Sequence, residues 1–243
     1  LFVVVTNSFN ASRSFSWPPS QLTLDWWSKA AENTGVREAM KWSLLAGASA
    51  TAIALLLGTA LAFAVSRYSF FGRNTISLLV VLPISLPGIV TGIALNNAFT
   101  KQLGISTGLF TVIVGHATFC IVVVYNNAIA RLNRMGTSLQ EASMDLGANG
   151  FTTFRLITLP NLASALFAGG LLAFGLSFDE IVVTTFTAGP GIQTLPIWIY
   201  DNLFRPNQAP IVNVVAATLV VVSIIPIYIS QRLSQDSTSG GRF

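Results

Sequence analysis

Five stretches of 23 residues or more in this chain contain no Asp, Glu, Lys or Arg: Trp42 to Ser66, Asn74 to Thr100, Gln102 to Ala130, Leu156 to Phe178 and Pro206 to Gln231. A soluble domain carries charge on roughly a quarter of its residues. Here charged residues make up 9% and the set AVILMFWYC 52%. Water cannot wet such a chain as a globule, which excludes a soluble enzyme and leaves an integral membrane protein with five or six helices. The cleanest run, Leu44 to Val65, has 22 residues, roughly 33 Å of helix and long enough to cross hydrocarbon alone. The runs are continuous instead of alternating. In lipid each backbone group must find its partner within its own segment, so the predicted class is all-α and not a barrel.

Leu1 to Val5 is a short apolar run that breaks off at Thr6-Asn7-Ser8 and reads as the tail of a first span. Pro83, Pro87-Gly88, Gly92, Gly169-Gly170 and Pro226 fall inside the runs. They mark closely packed helices, with a break expected near Pro83 and Pro87. Lys+Arg 13 against Asp+Glu 9 gives +4, but the charges are scattered singly, so nucleic acid is not an expected partner. Cys120 and His116 are the single cysteine and histidine. They build neither a disulfide framework nor a four-ligand metal site and read as helix-packing residues.

The polar segments set a predicted orientation. Arg67 to Arg73 carries two arginines, Arg131 to Arg155 three, and the tail Arg232 to Phe243 two, so positive-inside counting makes these cytoplasmic. The long segment 6–41, with Arg13, Lys29, Arg37 and Lys41, is then external. Trp17, Trp26, Trp27, Trp42 and Trp198 all fall on that same side, where indoles sit at headgroup depth. Asp25, Trp26, Trp27, Ala30 and Ala31, followed by Asn33-Thr34-Gly35, read as a short surface-lying helix capped at each end.

The stretch Thr137 to Pro160, TSLQEASMDLGANGFTTFRLITLP, is the most informative. Ser138 and Glu141 have the S-x-x-E spacing of a capping box, and Gly147 is placed to end a helix of about eight residues in the left-handed conformation. Leu139, Ala142, Ser143 and Leu146 recur at i, i+3, i+4, i+7 and share one face, with Glu141 and Asp145 turned largely away. Small residues in the middle of that face admit another protein's surface.

Glu141-Ala142-Ser143, three residues, Gly147, nine residues, then Ile157-x-Leu159-Pro160 resembles the EAA signature of permease subunits in bacterial ABC importers. Ser143 stands where the family usually has its second alanine. The likeness extends from Leu82-Pro83 and Leu86-Pro87-Gly88-Ile89-Val90-Thr91-Gly92 through Phe178-Asp179-Glu180 to the last span, and looks most like the spermidine/putrescine branch. It implies a type I permease fold, a single transmembrane domain over 1–243 in the bacterial plasma (inner) membrane, about six spans, and both termini cytoplasmic. It also implies a second permease subunit, two ATPase subunits and an external solute-binding protein. The loop 131–160 would then couple to the ATPase through Leu139, Glu141, Ala142, Ser143, Leu146, Gly147, Ile157, Leu159 and Pro160.

No G-x-x-x-x-G-K-[ST] loop occurs, so ATP and its Mg²⁺ are expected on the partner ATPase, and no cofactor or metal on this chain. Asp179 and Glu180 end one span, and Tyr200 and Asp201 follow the Gly189-Pro190-Gly191 segment. Near an external mouth these carboxylates and the tyrosine ring would attract a cationic solute. The alternative is a gradient-driven secondary transporter relaying protons through His116 or Asp179 and Glu180. A membrane-embedded enzyme finds no H-E-x-x-H or G-x-S-x-G support.

Overall fold

The computed structural model describes residues 2–12, 18–19, 21–205 and 208–239; the side chains of 226, 227, 230 and 232–239 also lie outside the description. Arg13, Trp17, Arg242 and the end of the tail therefore fall outside the described residues. The helices run α1 (Phe2–Asn7), α2 (Asp25–Glu32), α3 (Thr34–Arg67), α4 (Arg73–Ser85), α5 (Gly88–Asn97) and α6 (Leu109–Arg134). They continue with α7 (Ser138–Asp145), α8 (Gly150–Thr153), α9 (Leu159–Phe178), α10 (Val182–Thr187), α11 (Leu195–Asn202) and α12 (Ala209–Ser239). Two π turns, Ala98–Gln102 and Phe154–Thr158, extend α5 and join α8 to α9. Among the described residues the sole β feature is the bridge between Asn10 and Leu22.

Among the described residues three helices are long and apolar enough to cross a bilayer: Thr34–Arg67, Leu109–Arg134 and the joined Gly150–Phe178. The second charge-free stretch is not one straight span, because Leu86 and Pro87 adopt extended backbone between α4 and α5. Pro83, the other expected break, lies within α4. The third stretch turns helical at Leu109 and not at Gln102, since Gly104, at φ 65, takes a left-handed turn that most side chains disfavour.

The chain divides into two compact units. The first comprises 1–49, 87–116 and 175–225, and the second 50–86, 117–174 and 226–243. In the second unit α3, α6 and α9 meet at glycines. A Cβ on Gly58 would lie 3.0 Å from the Ile121 carbonyl oxygen, one on Gly169 3.2 Å from Asn127, and one on Gly170 3.3 Å from Leu55. With no hydrophobic drive between helices in lipid, such small-residue contacts supply the packing. Ala62, Val65, Tyr125, Ala128, Leu132 and Leu162 form the buried cluster beside them.

In the first unit the short α10 is clasped by α5 and α6. A Cβ on Gly92 would sit 2.5 Å from Phe186, so only glycine admits that ring without a shift. The Asn96 amide donates to the Phe186 carbonyl at 2.6 Å, and the Thr111 hydroxyl to the Thr187 carbonyl at 2.7 Å. Trp198 is not an interfacial ring as expected: it is 5% exposed and lies against the bare backbone of Gly35. The expected helix at Asp25 is present as α2, but its caps differ. Thr23 Oγ1 accepts from the Asp25 amide, and Asn33 caps the start of α3 by accepting from Val36 N–H.

Candidate functional site

The segment between α6 and α9 carries a helix whose two faces have different chemistry. α7 starts at Ser138 with Thr137 as its N-cap, and that cap makes no side-chain hydrogen bond. The expected capping box is therefore not formed: Ser138 is already the first helical residue, one position too far in, and the Glu141 amide is taken by the Thr137 carbonyl at 2.9 Å. The other end is as the glycine dictates. Gly147 has φ 88, with its N–H on the Met144 carbonyl at 2.9 Å and the Ala148 N–H on the Ser143 carbonyl at 3.1 Å. These bonds satisfy carbonyls that a helix end leaves free.

Gln140 and Ser143 hold α7 to its own chain. The Gln140 amide donates to Thr158 Oγ1 at 2.9 Å, and the Ser143 and Thr153 hydroxyls lie 3.1 Å apart. Both threonines are buried. Ser143 therefore turns inward instead of standing on the outer face with Leu139, Ala142 and Leu146. Those three are exposed, Leu146 at 90%. Glu141 is exposed as well.

Ile157, Leu159 and Pro160 lie at the junction of the second π turn with α9, Ile157 half-buried and the other two exposed. Proline carries no N–H and its ring crowds the carbonyl four residues back. The wider π turn makes room, with Leu159 N–H reaching the Phe154 carbonyl. Asn161 then donates its side-chain amide to the Ile157 carbonyl at 2.7 Å.

The four residues expected along a solute path are not joined to one another by any hydrogen bond or ion pair among the described residues. Glu180 Oε1 accepts from Val183 N–H at 2.8 Å and so caps α10. Asp201 Oδ2 accepts from the Gln193 amide at 2.7 Å. Tyr200 is exposed. Asp179 follows the last turn of α9, where partial burial raises its carboxyl pKa above the usual 3.8.

His116 is 1% exposed, with Nδ1 2.7 Å from Ser177 Oγ and Nε2 2.8 Å from Thr184 Oγ1. Both ring nitrogens are thus engaged in packing bonds to α9 and α10. Cys120 donates to the Ala173 carbonyl at 3.3 Å. Sequence reasoning missed Gln140 and Thr158. The visible signal was a polar residue one position before Glu141 and a threonine within the apolar approach to Pro160.

An all-helical chain with apolar spans, a broken second span and an exposed, glycine-ended helix before a further span has the build of a transporter's membrane subunit. The chain belongs to the family described as binding-protein-dependent transport system inner membrane component, which matches residues 29–239. Among curated relatives, the spermidine/putrescine transport system permease protein PotC of Escherichia coli (strain K12) is 34% identical, over 99% of this chain and 90% of that protein. The putrescine transport system permease protein PotI of the same strain is 31% identical, over 96% and 85%.

Of solved structures, the MetNI methionine ABC transporter in inward-facing conformations aligns with TM-score 0.65 at 19% identity, over 88% of this chain and 99% of that one. A bacterial ABC transporter involved in import of the polysaccharide alginate aligns with TM-score 0.68 at 15% identity, over 96% and 88%. The fold is accordingly that of a type I ABC importer permease, and the chain is the inner membrane component of a binding-protein-dependent transport system.

Proposed function

We propose that this chain imports a polyamine such as spermidine or putrescine, working with a second permease, two ATPase subunits and an external solute-binding protein, and that α7 is the part the ATPase moves. The carrying observation is the division of labour on α7. Gln140 and Ser143 tie it to its own chain, while Leu139, Ala142 and Leu146 offer an exposed apolar face with a small residue at its centre. The cargo reading is supported by the relatives PotC, a spermidine/putrescine transport system permease protein, and PotI, a putrescine transport system permease protein.

In this reading both termini and the loop 131–160 are cytoplasmic, which agrees with the arginine distribution, and 6–41 is external. Hydrolysis belongs to the partner, because the P-loop sequence is lacking here. ATP drives transport only if closure of the ATPase favours one orientation of the spans, and reversing a 1:99 population takes about 5.5 kcal/mol of differential interaction. That free energy enters through the face centred on Ala142. At the external mouth Asp179, Glu180, Tyr200 and Asp201 provide negative potential and a ring face for a cation.

Purification of the chain in detergent with its native partners, followed by uptake of radiolabelled putrescine into proteoliposomes, tests both parts. Co-purification of a nucleotide-binding subunit and ATP-dependent uptake are expected. Uptake that persists without ATP and collapses with the proton gradient overturns the coupling, and ATP-driven uptake of a neutral or anionic solute in place of polyamine overturns the cargo.

A further inference from the structure

The first unit holds a recess of ≈ 350 Å³ lined by Gly35, Glu38, Ala39, Trp42, Ile192 and Gln193. Its chemistry departs from that of the apolar runs: one carboxylate, one indole and one primary amide surround bare glycine backbone. Gln193 is bonded to Asp201 at 2.7 Å, which sets a second carboxylate next to the lining.

A side chain beside the recess shows what two of its lining residues can bind. Lys41 Nζ lies 3.6 Å from Glu38 Oε2 and 5.2 Å from the centroid of the Trp42 ring. The second distance is within the roughly 6 Å over which a cation feels the ring quadrupole. A lysine side chain is an ammonium on a four-carbon stem, so carboxylate and ring face together already hold a primary alkylammonium. The hold is loose, because the Lys41 and Glu38 side chains keep 57% and 61% of their surface exposed and solvent-exposed pairs of this kind contribute little. An incoming ammonium that brings a desolvating stem into the recess can displace it.

We infer that this recess is an entry site for a primary alkylammonium, with Glu38 taking the charge, Trp42 the ring contact, and Lys41, which lies beside the recess and not in its lining, competing for both. The inference rests on the polyamine reading for the identity of the cargo, but the recess chemistry is testable without it. It assigns binding to Glu38, Trp42 and Gln193, none of which is among the carboxylates at the ends of spans.

The test uses the full chain in lipid nanodiscs, with n-butylammonium as probe and 1-butanol as neutral control, read by ligand-observed saturation-transfer NMR. Lys41→Met keeps the stem and removes the competitor, and is expected to tighten n-butylammonium binding about threefold to tenfold. Adding Glu38→Gln or Trp42→Leu reverses the gain, and Lys41→Arg behaves as the native chain. Equal binding by Lys41→Met with and without Glu38→Gln overturns the site, as does 1-butanol binding as well as n-butylammonium.

Uptake by the whole importer separates the two readings. Putrescine uptake with KM unchanged in Glu38→Gln overturns the entry site and leaves the cargo. An importer that carries no polyamine, while the Lys41→Met chain binds n-butylammonium, overturns the cargo and supports the site.

Discussion

Replacing Gly147 with alanine isolates a single term in the stability of α7. A Cβ at this position meets nothing within 4 Å, so no steric cost arises from neighbours, and the whole effect comes from φ 88. An L side chain in the left-handed region costs roughly 1–2 kcal/mol, which lowers the population of the intact helix end about 5- to 30-fold. Gly150 provides the control. Its Cβ also meets nothing, but it stands as the first residue of α8 without a positive φ, where alanine is the better helix former by up to about 1 kcal/mol. Gly147→Ala and Gly150→Ala should therefore move in opposite directions. Hydrogen exchange at the α7 amides for Gly147→Ala, and at the amides of α8 and the helix it joins for Gly150→Ala, reads this directly in the purified chain. In proteoliposomes of the whole importer, Gly147→Ala should raise the ATP consumed per solute imported while membrane insertion stays normal. Identical exchange in the two variants would refute the backbone argument, and unchanged coupling despite faster exchange would refute the role given to α7.

Ala142→Arg places a charge at the centre of the exposed face and is expected to abolish transport with insertion and thermal stability within about 0.5 kcal/mol of native, which co-purification of the ATPase would check. Gly92→Ala drives a methyl against Phe186 at 2.5 Å and should cost about 1–3 kcal/mol by overpacking; pairing it with Phe186→Leu should recover much of the loss in a double-mutant cycle of thermal unfolding. His116→Ala removes a buried ring and two hydrogen bonds and should cost about 2–4 kcal/mol. Ser177→Ala removes one of these bonds and should cost about 0.6 kcal/mol in a membrane interior, and Thr184→Ala, which also loses the Thr184 bond to the Glu180 carbonyl, about twice that. Equal losses in the three His116-site variants would refute the two-bond clasp.

Periodicity and composition carried the class and the spans where the chain obeys local rules. The runs of α3 and α6 are helical because nothing in them interrupts the backbone ladder, and Gly147 ends α7 because its left-handed turn suits only glycine. What the sequence could not disclose were choices settled by neighbours. Pro83 and Pro87 look alike as residues, but only Pro87 sits in the break, and Pro83 is carried inside α4. Trp198 looks like a headgroup anchor until Gly35 appears beneath it, a pairing of residues far apart in sequence. Spacing placed Ser143 on the outer face because it shares a period with Leu139 and Leu146. A hydroxyl partner at Thr153 turned it inward.

That inward turn decides how a push on α7 would travel. A helix held by backbone continuity alone would pivot about Gly147 and dissipate displacement in the turn. Gln140 and Ser143 instead fasten α7 at two points one turn apart to Thr158 and Thr153, both in the base of the continuous Gly150–Phe178 helix. Two attachments fix orientation as well as position, so a rotation of α7 is passed on to that helix as a rotation. The π turn beneath them makes room for Pro160, which has no N–H and crowds the Leu156 carbonyl, and next to it the Asn161 side-chain amide donates to the Ile157 carbonyl. Arg131 Nε in turn donates to the Asn161 carbonyl at 3.1 Å, tying the base of the lever to α6. If α7 is loaded by a partner as proposed, Ile157, Leu159 and Pro160 would act without touching that partner, because they shape the footing to which the helix is fastened.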